Sequence, residues 1–204
     1  MNSRFRSTTN SAVIYRRAVL ALVVLLSSVV PARADVCVWR DPERTMQKLF
    51  PAARDYKTIT VKFDPVTVRT LEQAFGGPFE EASAGEFNFY DIMGVVQGKP
   101  EKLGTLMALA GRGEYGVIEV VIGVDTGGKI IGAYIQRSRE RATRALQSAA
   151  FLSQFNGKTN ADTLVVGTGL KPAGADAEAA SRIVALVIRK MLVFHDVLAK
   201  GGRT

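Results

Sequence analysis

Few side chains in this sequence are of the types that usually perform catalysis. His195 is the only histidine, and it falls beside the apolar stripe of a predicted helix, which favours a structural role. Cys37 is the only cysteine, so the sequence excludes an intrachain disulfide and a cysteine-based metal or iron–sulfur site. Asp176 and Glu178 are closely spaced carboxylates, but acids in a first helical turn commonly cap free N–H groups. A hydrolytic or proton-transferring enzyme is therefore disfavoured.

The stretch from Glu114 to Lys158 predicts the elements that would position a site. β-Branched residues crowd positions 117–124 and recur at 129–135 after Asp125-Thr126-Gly127-Gly128, which is a strong hairpin signal. In residues 117–124, both the odd-numbered and the even-numbered positions carry apolar residues, which predicts a central strand covered on both faces. A dense polar corner, Arg137-Ser138-Arg139-Glu140-Arg141, comes next. A helix is then predicted from Ala142 to the stop at Asn156-Gly157.

Two helices with a strand between them are predicted ahead of this stretch. Asp41-Pro42 and Asp64-Pro65 each place an acidic cap before a proline at the first helical position. Residues 58–63 alternate as a half-buried strand, and further strands are predicted within 87–92 and 103–109. A turn or loop is expected from 94 to 100.

The predicted fold class is α+β, with a central antiparallel sheet, packed helices and a long C-terminal core helix. That helix is predicted from Asp176 to about Leu198, with Arg182, Arg189 and Lys190 on a solvated back. Three segments are predicted: a signal peptide at 1–34, a helix-strand-helix preface with the start of the sheet at 35–110, and a domain at 111–204.

The first 34 residues have the pattern of an export signal. They contain five arginines and no acid, then an apolar run from Ala18 to Val30 and the small-residue site Ala32-Arg33-Ala34. General secretion and twin-arginine export, suggested by Arg16-Arg17, both remain open. Cleavage would place the protein in the periplasm or outside the cell, and membrane association stays compatible with it. Cys37 would then lie near the N-terminus, either as a buried or terminal thiol with no special role or in a disulfide with another chain.

Charge gives little support for nucleic-acid binding. Removing residues 1–34 removes five of the 27 basic residues and none of the 19 acids, so the net charge falls from +8 to about +3. No run of basic residues with interleaved aromatics remains.

The order of parts resembles the FMN-binding domain family, which includes flavin-carrying components of the Rnf electron-transport complex and of the sodium-translocating NADH:quinone reductase. The resemblance rests on Gly128-Lys129-Ile130, Arg139-Glu140, the segment from Phe151 to Lys158 and the final apolar helix. It covers roughly residues 114–200. It implies an electron-transfer component that works with a redox partner protein or a membrane complex. The oligomeric state stays open.

The resemblance also exposes a departure from the family pattern. Family members commonly attach FMN through the threonine of an S-G-A-T motif at the start of the last helix. The matching position here is Asp176 or Glu178, and residues 171–180 contain no serine or threonine. The acids would also oppose a phosphate there. Flavin is therefore expected to bind non-covalently, and the alternative is a flavin-free binding or assembly module.

The resemblance implies a set of candidate flavin-binding residues. Tyr115 or Tyr90 would supply an aromatic wall, and Arg139, Arg141 and Lys158 would receive the phosphate; a solvated salt-bridged corner is the competing interpretation. The full candidate set is Tyr115, Arg139, Glu140, Arg141, Gln154, Phe155, Lys158, Thr168, Gly174 and Ser181. Thr168 and Ser181 are included as the nearest hydroxyls. No catalytic residue and no metal ligand are predicted.

Overall fold

A computed structural model describes residues 42–200 of the 204-residue chain, and these residues belong to one compact unit. The predicted signal peptide and Cys37 lie outside the described residues. Five strands form one antiparallel sheet in sequential order: β1 (Ala53–Lys62), β2 (Glu86–Val96), β3 (Lys99–Arg112), β4 (Val117–Asp125) and β5 (Ile130–Arg137). The helices are α1 (Pro42–Leu49), α2 (Pro65–Phe75), α3 (Thr143–Leu146), α4 (Ala149–Leu152) and α5 (Glu178–Lys200). The α+β prediction, including the long C-terminal helix, is confirmed.

The β4–β5 hairpin forms where the sequence predicts it. Asp125 Oδ1 accepts hydrogen bonds from the backbone N–H groups of Gly127 and Lys129, both at 2.9 Å, and Gly128 has a φ of 82°. β4 lies between β3 and β5, and its middle residues are buried on both faces. The turn predicted within 94–100 is present at Gln97-Gly98 but is shorter than expected. The strands continue to Val96 and resume at Lys99, so that a two-residue turn suffices.

The sheet is covered on both faces by helices. α5 packs on one face, where Gly111 permits close approach, since a Cβ there would lie 2.6 Å from both Ile183 and Val187. α1 packs on the other face, where Met46 and Phe50 join a second core cluster. β3 runs through residues 110–112 and pairs with β4, so the predicted segments 35–110 and 111–204 share one sheet.

Local capping chemistry explains α2. Asp64 caps it by accepting hydrogen bonds from the N–H groups of Val66 (2.7 Å) and Thr67 (2.9 Å), and Pro65 opens the first turn. The helix ends at Gly76, whose φ of 81° suits the left-handed conformation.

Two helical predictions are wrong. The single helix expected from Ala142 is divided into α3 and α4, because Ser148 caps a new helix by accepting from Phe151 N (3.3 Å). Lys190 does not lie on a solvated back of the last helix, since it is only 8% exposed. A short 3₁₀ segment at Glu80–Ala84 brings Glu81 to within 2.7 Å of its ammonium group.

Candidate functional site

Three strand ends meet at one end of the sheet. β3 ends at Arg112, β4 begins opposite it at Val117, and β5 ends nearby at Arg137. A hydrogen bond from Gly113 N to Gly116 O (2.7 Å) closes the connection between β3 and β4. We call this end the arginine corner and define it by Arg112, Tyr115, Arg139, Glu140, Arg141 and Arg144.

Glu140 ties the loops of the arginine corner together. Its side chain is turned inward, and the residue is 7% exposed. Carboxylate oxygen Oε1 accepts a hydrogen bond from the backbone N–H of Tyr115 (3.0 Å), which joins the loop after β5 to the loop after β3. Gly113 leaves room for this carboxylate, since a Cβ would lie 2.2 Å from the same oxygen. Glu140 is the one acid among the four arginines of residues 137–144, and its carboxylate makes its hydrogen bond within the fold.

Tyr115 supplies an aromatic surface at the corner. The residue is 39% exposed, and the Arg141 guanidinium lies 4.6 Å from the centroid of its ring. Desolvation raises the pKa of the Tyr115 phenol above its ordinary value of 10.0, a hydrogen bond with Glu114 raises it further, and the Arg141 charge opposes both. The phenol is therefore neutral at neutral pH, and the ring offers an uncharged stacking surface beside a cation.

The cations of the corner are largely uncompensated. Arg137 reaches Glu119 at 3.5 Å, and Glu114 is the exposed acid of the β3–β4 loop. The remaining arginines are exposed and form no ion pair with a carboxylate of residues 42–200: Arg112, Arg139, Arg141 and Arg144. Guanidinium groups present paired N–H donors that match phosphate and carboxylate oxygens. The arrangement is chemically suited to a planar ligand that carries negative charge.

The start of α5 lies toward the same end of the sheet. Leu109 and Met191 line one small cavity, whereas Gly111, further along β3, lies against Ile183 and Val187. α5 therefore runs antiparallel to β3, and following β3 to Arg112 leads back toward the first turn of α5. Unpaired N–H groups at such a helix start favour anions.

The start of α5 and the 3₁₀ turn before it offer acids and no exposed hydroxyl. Asp176, in the 3₁₀ turn, and Glu178, the first residue of α5, are both exposed, and Glu178 pairs with Arg182 one turn further on. Gly174, a candidate residue, has extended backbone, and its carbonyl accepts from Ala177 N (3.1 Å) at the start of a 3₁₀ turn. An incoming phosphate would meet negative side chains here.

The Ser181 hydroxyl makes hydrogen bonds within the fold. It donates to the Ala177 carbonyl (2.7 Å) and accepts from Ala173 N (3.0 Å), and the residue is fully buried. An ester at this oxygen would remove the hydroxyl hydrogen and therefore the hydrogen bond to the Ala177 carbonyl. Ser181 thus holds the loop before α5 against the helix.

The predicted residues between 154 and 158 also have structural roles, and we call them the Gln154–Lys158 segment. Gln154 Oε1 accepts from Lys171 N (2.8 Å), and its amide nitrogen donates to Lys171 O (3.2 Å). Phe155 is fully buried, with its ring perpendicular to that of Phe151 at 5.5 Å. Backbone hydrogen bonds from Gly157 N to Ile130 O (2.7 Å) and from Ile130 N to Lys158 O (2.8 Å) dock the segment on β5.

The structure does not bring Lys158 to the predicted phosphate-binding arginines. Lys158 lies beside Ile130, the first residue of β5, whereas Arg139 and Arg141 follow the last residue of that strand. Eight residues of strand at about 3.3 Å each separate the two ends by on the order of 20 Å. The Lys158 ammonium instead lies 3.5 Å from Asp162. One phosphate cannot contact all three cations.

Two other candidates lie away from the corner. Thr168 is exposed in the turn from Val165 to Leu170, with its N–H donating to Val165 O (3.2 Å). Tyr90 packs on the α1 face of the sheet, 5.5 Å from Tyr56 in an edge-to-face contact, and burial raises its pKa. Tyr115, and not Tyr90, is therefore the aromatic residue that accompanies Arg139 and Arg141.

Two hollows among the described residues do not involve the candidate residues. One, of about 10 Å³, lies between α5 and the 3₁₀ segment and is lined partly by Phe79, Lys190 and Phe194. The other is an open groove of about 400 Å³ beside Arg69 and Gly77. Within residues 42–200, no cluster of His, Cys, Asp and Glu could hold a metal ion. None of the helices in that range has the length and apolar character of a membrane span.

Arg112 and Arg144 belong to the corner but are absent from the predicted set, as is Gly113, which makes room for the Glu140 carboxylate. Arg144 lies three residues after Arg141, the last residue of the predicted polar corner, so the charge pattern alone could have placed it in the predicted set. Arg112 and Gly113 are brought to the corner through the pairing of Arg112 with Val117 and the inward turn of Glu140. The sequence carries no local signal for those contacts.

No protein-family model matches this chain, and no curated protein matches it.

Proposed function

We propose that Tyr115, Arg139 and Arg141 of the arginine corner bind FMN without a covalent bond and that the protein acts in electron transfer outside the cytoplasm. The observation that carries the proposal is the exposed Tyr115 ring, set beside the Arg141 guanidinium at 4.6 Å and backed by the buried Glu140 carboxylate. Its second support is the resemblance of residues 114–200 to the FMN-binding domain.

The donor set of the corner fits the chemistry of FMN. The Arg139 and Arg141 guanidinium groups are suited to the phosphate, and the Tyr115 ring is suited to the flat isoalloxazine ring system. When bound, FMN supplies the one- and two-electron redox chemistry. The residues of the chain would bind and orient it.

A non-covalent complex is consistent with the hydroxyl groups near α5. The Ser181 hydroxyl is fully buried and makes two hydrogen bonds, Asp176 lies in the 3₁₀ turn before α5, and Glu178 is the first residue of that helix. A phosphate held by Arg139 and Arg141 would avoid both acids. Denaturing precipitation of flavin-loaded protein should therefore leave the flavin in the supernatant, and flavin in the pellet would contradict the non-covalent assignment.

The proposal is tested by titrating purified protein with FMN and following the quenching of flavin fluorescence. Replacing both arginines (Arg139→Gln with Arg141→Gln) should weaken binding by up to roughly thirtyfold, at about 1 kcal/mol for each exposed charge contact. The matched control is Lys57→Gln with Lys62→Gln, which removes the same charge from exposed positions on β1. Equal weakening in both variants would show that only net charge matters and would refute the assigned site.

A second candidate function is a flavin-free binding or assembly module. The observation that favours it is that candidate flavin-binding groups already make hydrogen bonds within the fold. Gln154 accepts a hydrogen bond from Lys171 N, and Ser181 accepts one from Ala173 N. Under this proposal the purified protein stays colourless after incubation with excess FMN and dialysis. A yellow protein with a stoichiometric flavin spectrum would eliminate it.

A further inference from the structure

Two arginines of the corner have no assigned role in the proposed flavin site. Arg112 ends β3, three residues before Tyr115, and Arg144 lies in α3, three residues after Arg141. Both are exposed, and neither forms an ion pair with a carboxylate of residues 42–200. Uncompensated exposed cations raise the local electrostatic potential and speed encounters with negatively charged molecules.

The corner keeps an excess of positive charge because two of the neighbouring carboxylates are largely buried within the fold. Glu140 is turned inward to Tyr115 N, and Glu119 is only 12% exposed at its side chain while it faces Arg137. Glu114 is left as the exposed carboxylate of the β3–β4 loop. The opposite end of β5 differs, since the Lys158 ammonium there lies beside the Asp162 carboxylate.

The composition of the corner favours a protein partner over a lipid surface. Arginine and tyrosine are the residue types enriched in the energetic centres of protein interfaces. Stable binding to a membrane surface combines electrostatic attraction to anionic lipids with apolar side chains that insert beside the cations. The exposed valines at the β2–β3 turn, Val95 and Val96, lie at the opposite end of β3 from Arg112.

We infer that Arg112 and Arg144 form a docking rim that binds the acidic surface of a partner protein and holds that protein against the arginine corner. The inference rests on the proposed function in one respect, that this partner is the one that exchanges electrons with the flavin. Docking itself requires no flavin, because both arginines and Tyr115 are exposed on the folded chain. The guanidinium groups would pair with carboxylates of the partner at distances typical of charge-assisted hydrogen bonds.

The test uses a short fluorescein-labelled polyglutamate peptide as the acidic probe and fluorescence anisotropy as the readout. The full chain should bind it at about 0.01 M ionic strength and lose it at about 0.15 M, as the screening length falls from about 30 to about 8 Å. Replacing both rim residues (Arg112→Gln with Arg144→Gln) should weaken peptide binding by roughly threefold or more. The control pair on β1, Lys57→Gln with Lys62→Gln, should leave it unchanged, and equal weakening in the control would overturn the inference.

Two further measurements separate the possible failures. Vesicles of phosphatidylglycerol should bind the wild-type and rim variants equally weakly, and strong rim-dependent vesicle binding would overturn the protein-partner assignment in favour of a membrane. The rim variant should keep the wild-type FMN affinity. If it loses FMN affinity, both arginines belong to the flavin site and the docking rim is refuted. If no variant binds FMN but the peptide result holds, the proposed function fails and the rim stands.

Discussion

The two ends of β5 use their polar residues in different ways. At the Gln154–Lys158 segment, the Gln154 amide, the Phe155 ring and the backbone at 157–158 are all occupied by contacts within the fold. At the arginine corner, the buried Glu140 fixes the loops while Tyr115 and its neighbouring arginines stay exposed. Resemblance to a cofactor-binding family can thus be carried by residues that build the fold, and the groups available for a ligand lie at the other end of the strand.

The largest effect is expected from truncating the centre of the Gln154–Lys158 segment. Phe155→Ala removes a fully buried ring that packs on Phe151, and losses of this kind typically lower the free energy of unfolding by about 3–5 kcal/mol. Urea unfolding followed by circular dichroism measures it. A loss below about 1 kcal/mol would show that the segment does not support the fold as described.

A smaller loss of stability is expected at the start of α5. Ser181→Ala leaves the Ala173 N–H without its acceptor and should lower the free energy of unfolding by about 1–3 kcal/mol. The exposed Ser153, changed to alanine, is the matched control and should stay within about 0.5 kcal/mol of the wild type. If both variants behave alike, the structural assignment of Ser181 is wrong.

The arginines of the corner should show the reverse pattern. Arg139→Gln and Arg141→Gln remove exposed charges, so each should change the free energy of unfolding by no more than about 0.5 kcal/mol. The same variants should weaken FMN binding in the fluorescence titration. Large destabilisation with unchanged FMN affinity would make the corner a structural feature and would remove the contrast between the two ends.

The smallest expected effects are shifts in the pH dependence of stability. Near the Gln154–Lys158 segment, a hydrogen bond from Thr159 N (2.8 Å) and one from its hydroxyl lower the pKa of Asp162 below its ordinary 3.8. Asp162 therefore stabilises the fold above the unfolded-state pKa, and this contribution is lost as the pH falls through the lower folded-state pKa. Asp162→Asn should flatten the acid limb of the stability curve, and an unchanged acid limb would contradict this.

The corner should affect the alkaline limb instead. The raised pKa of Tyr115 gives a contribution that is present below the ordinary value of 10.0 and lost as the pH rises through the higher folded-state value. The difference in phenolate absorbance between the wild type and Tyr115→Phe reports this titration. A Tyr115 that titrates at or below 10.0 would mean that the ring is freely solvated.

Local patterns in the sequence predict much of the fold. Asp125-Thr126-Gly127-Gly128 between β-branched runs specifies the β4–β5 hairpin, and Asp64-Pro65 with Gly76-Gly77 specifies the limits of α2. These signals act within a few residues of where they stand in the chain. The α+β class follows from combining them.

Contacts between distant parts of the chain are not predictable in this way. Lys190 is buried because Glu81, more than a hundred residues earlier, reaches it from a 3₁₀ segment. The separation of Lys158 from the corner depends on the pairing of Gly157 with Ile130. The sequence predicts the corner as a charged turn, but the inward direction of Glu140 depends on Gly113, on a different strand connection.

The central claim is that the arginine corner holds the flavin through its phosphate, and a comparison of FMN with riboflavin, which lacks that phosphate, tests it most directly. Equilibrium dialysis of the wild type should show tighter binding of FMN than of riboflavin. Replacing both arginines, Arg139→Gln with Arg141→Gln, should abolish that preference while riboflavin binding stays the same. A preference for FMN that survives the substitution, or a wild-type protein that binds neither compound, would contradict the claim.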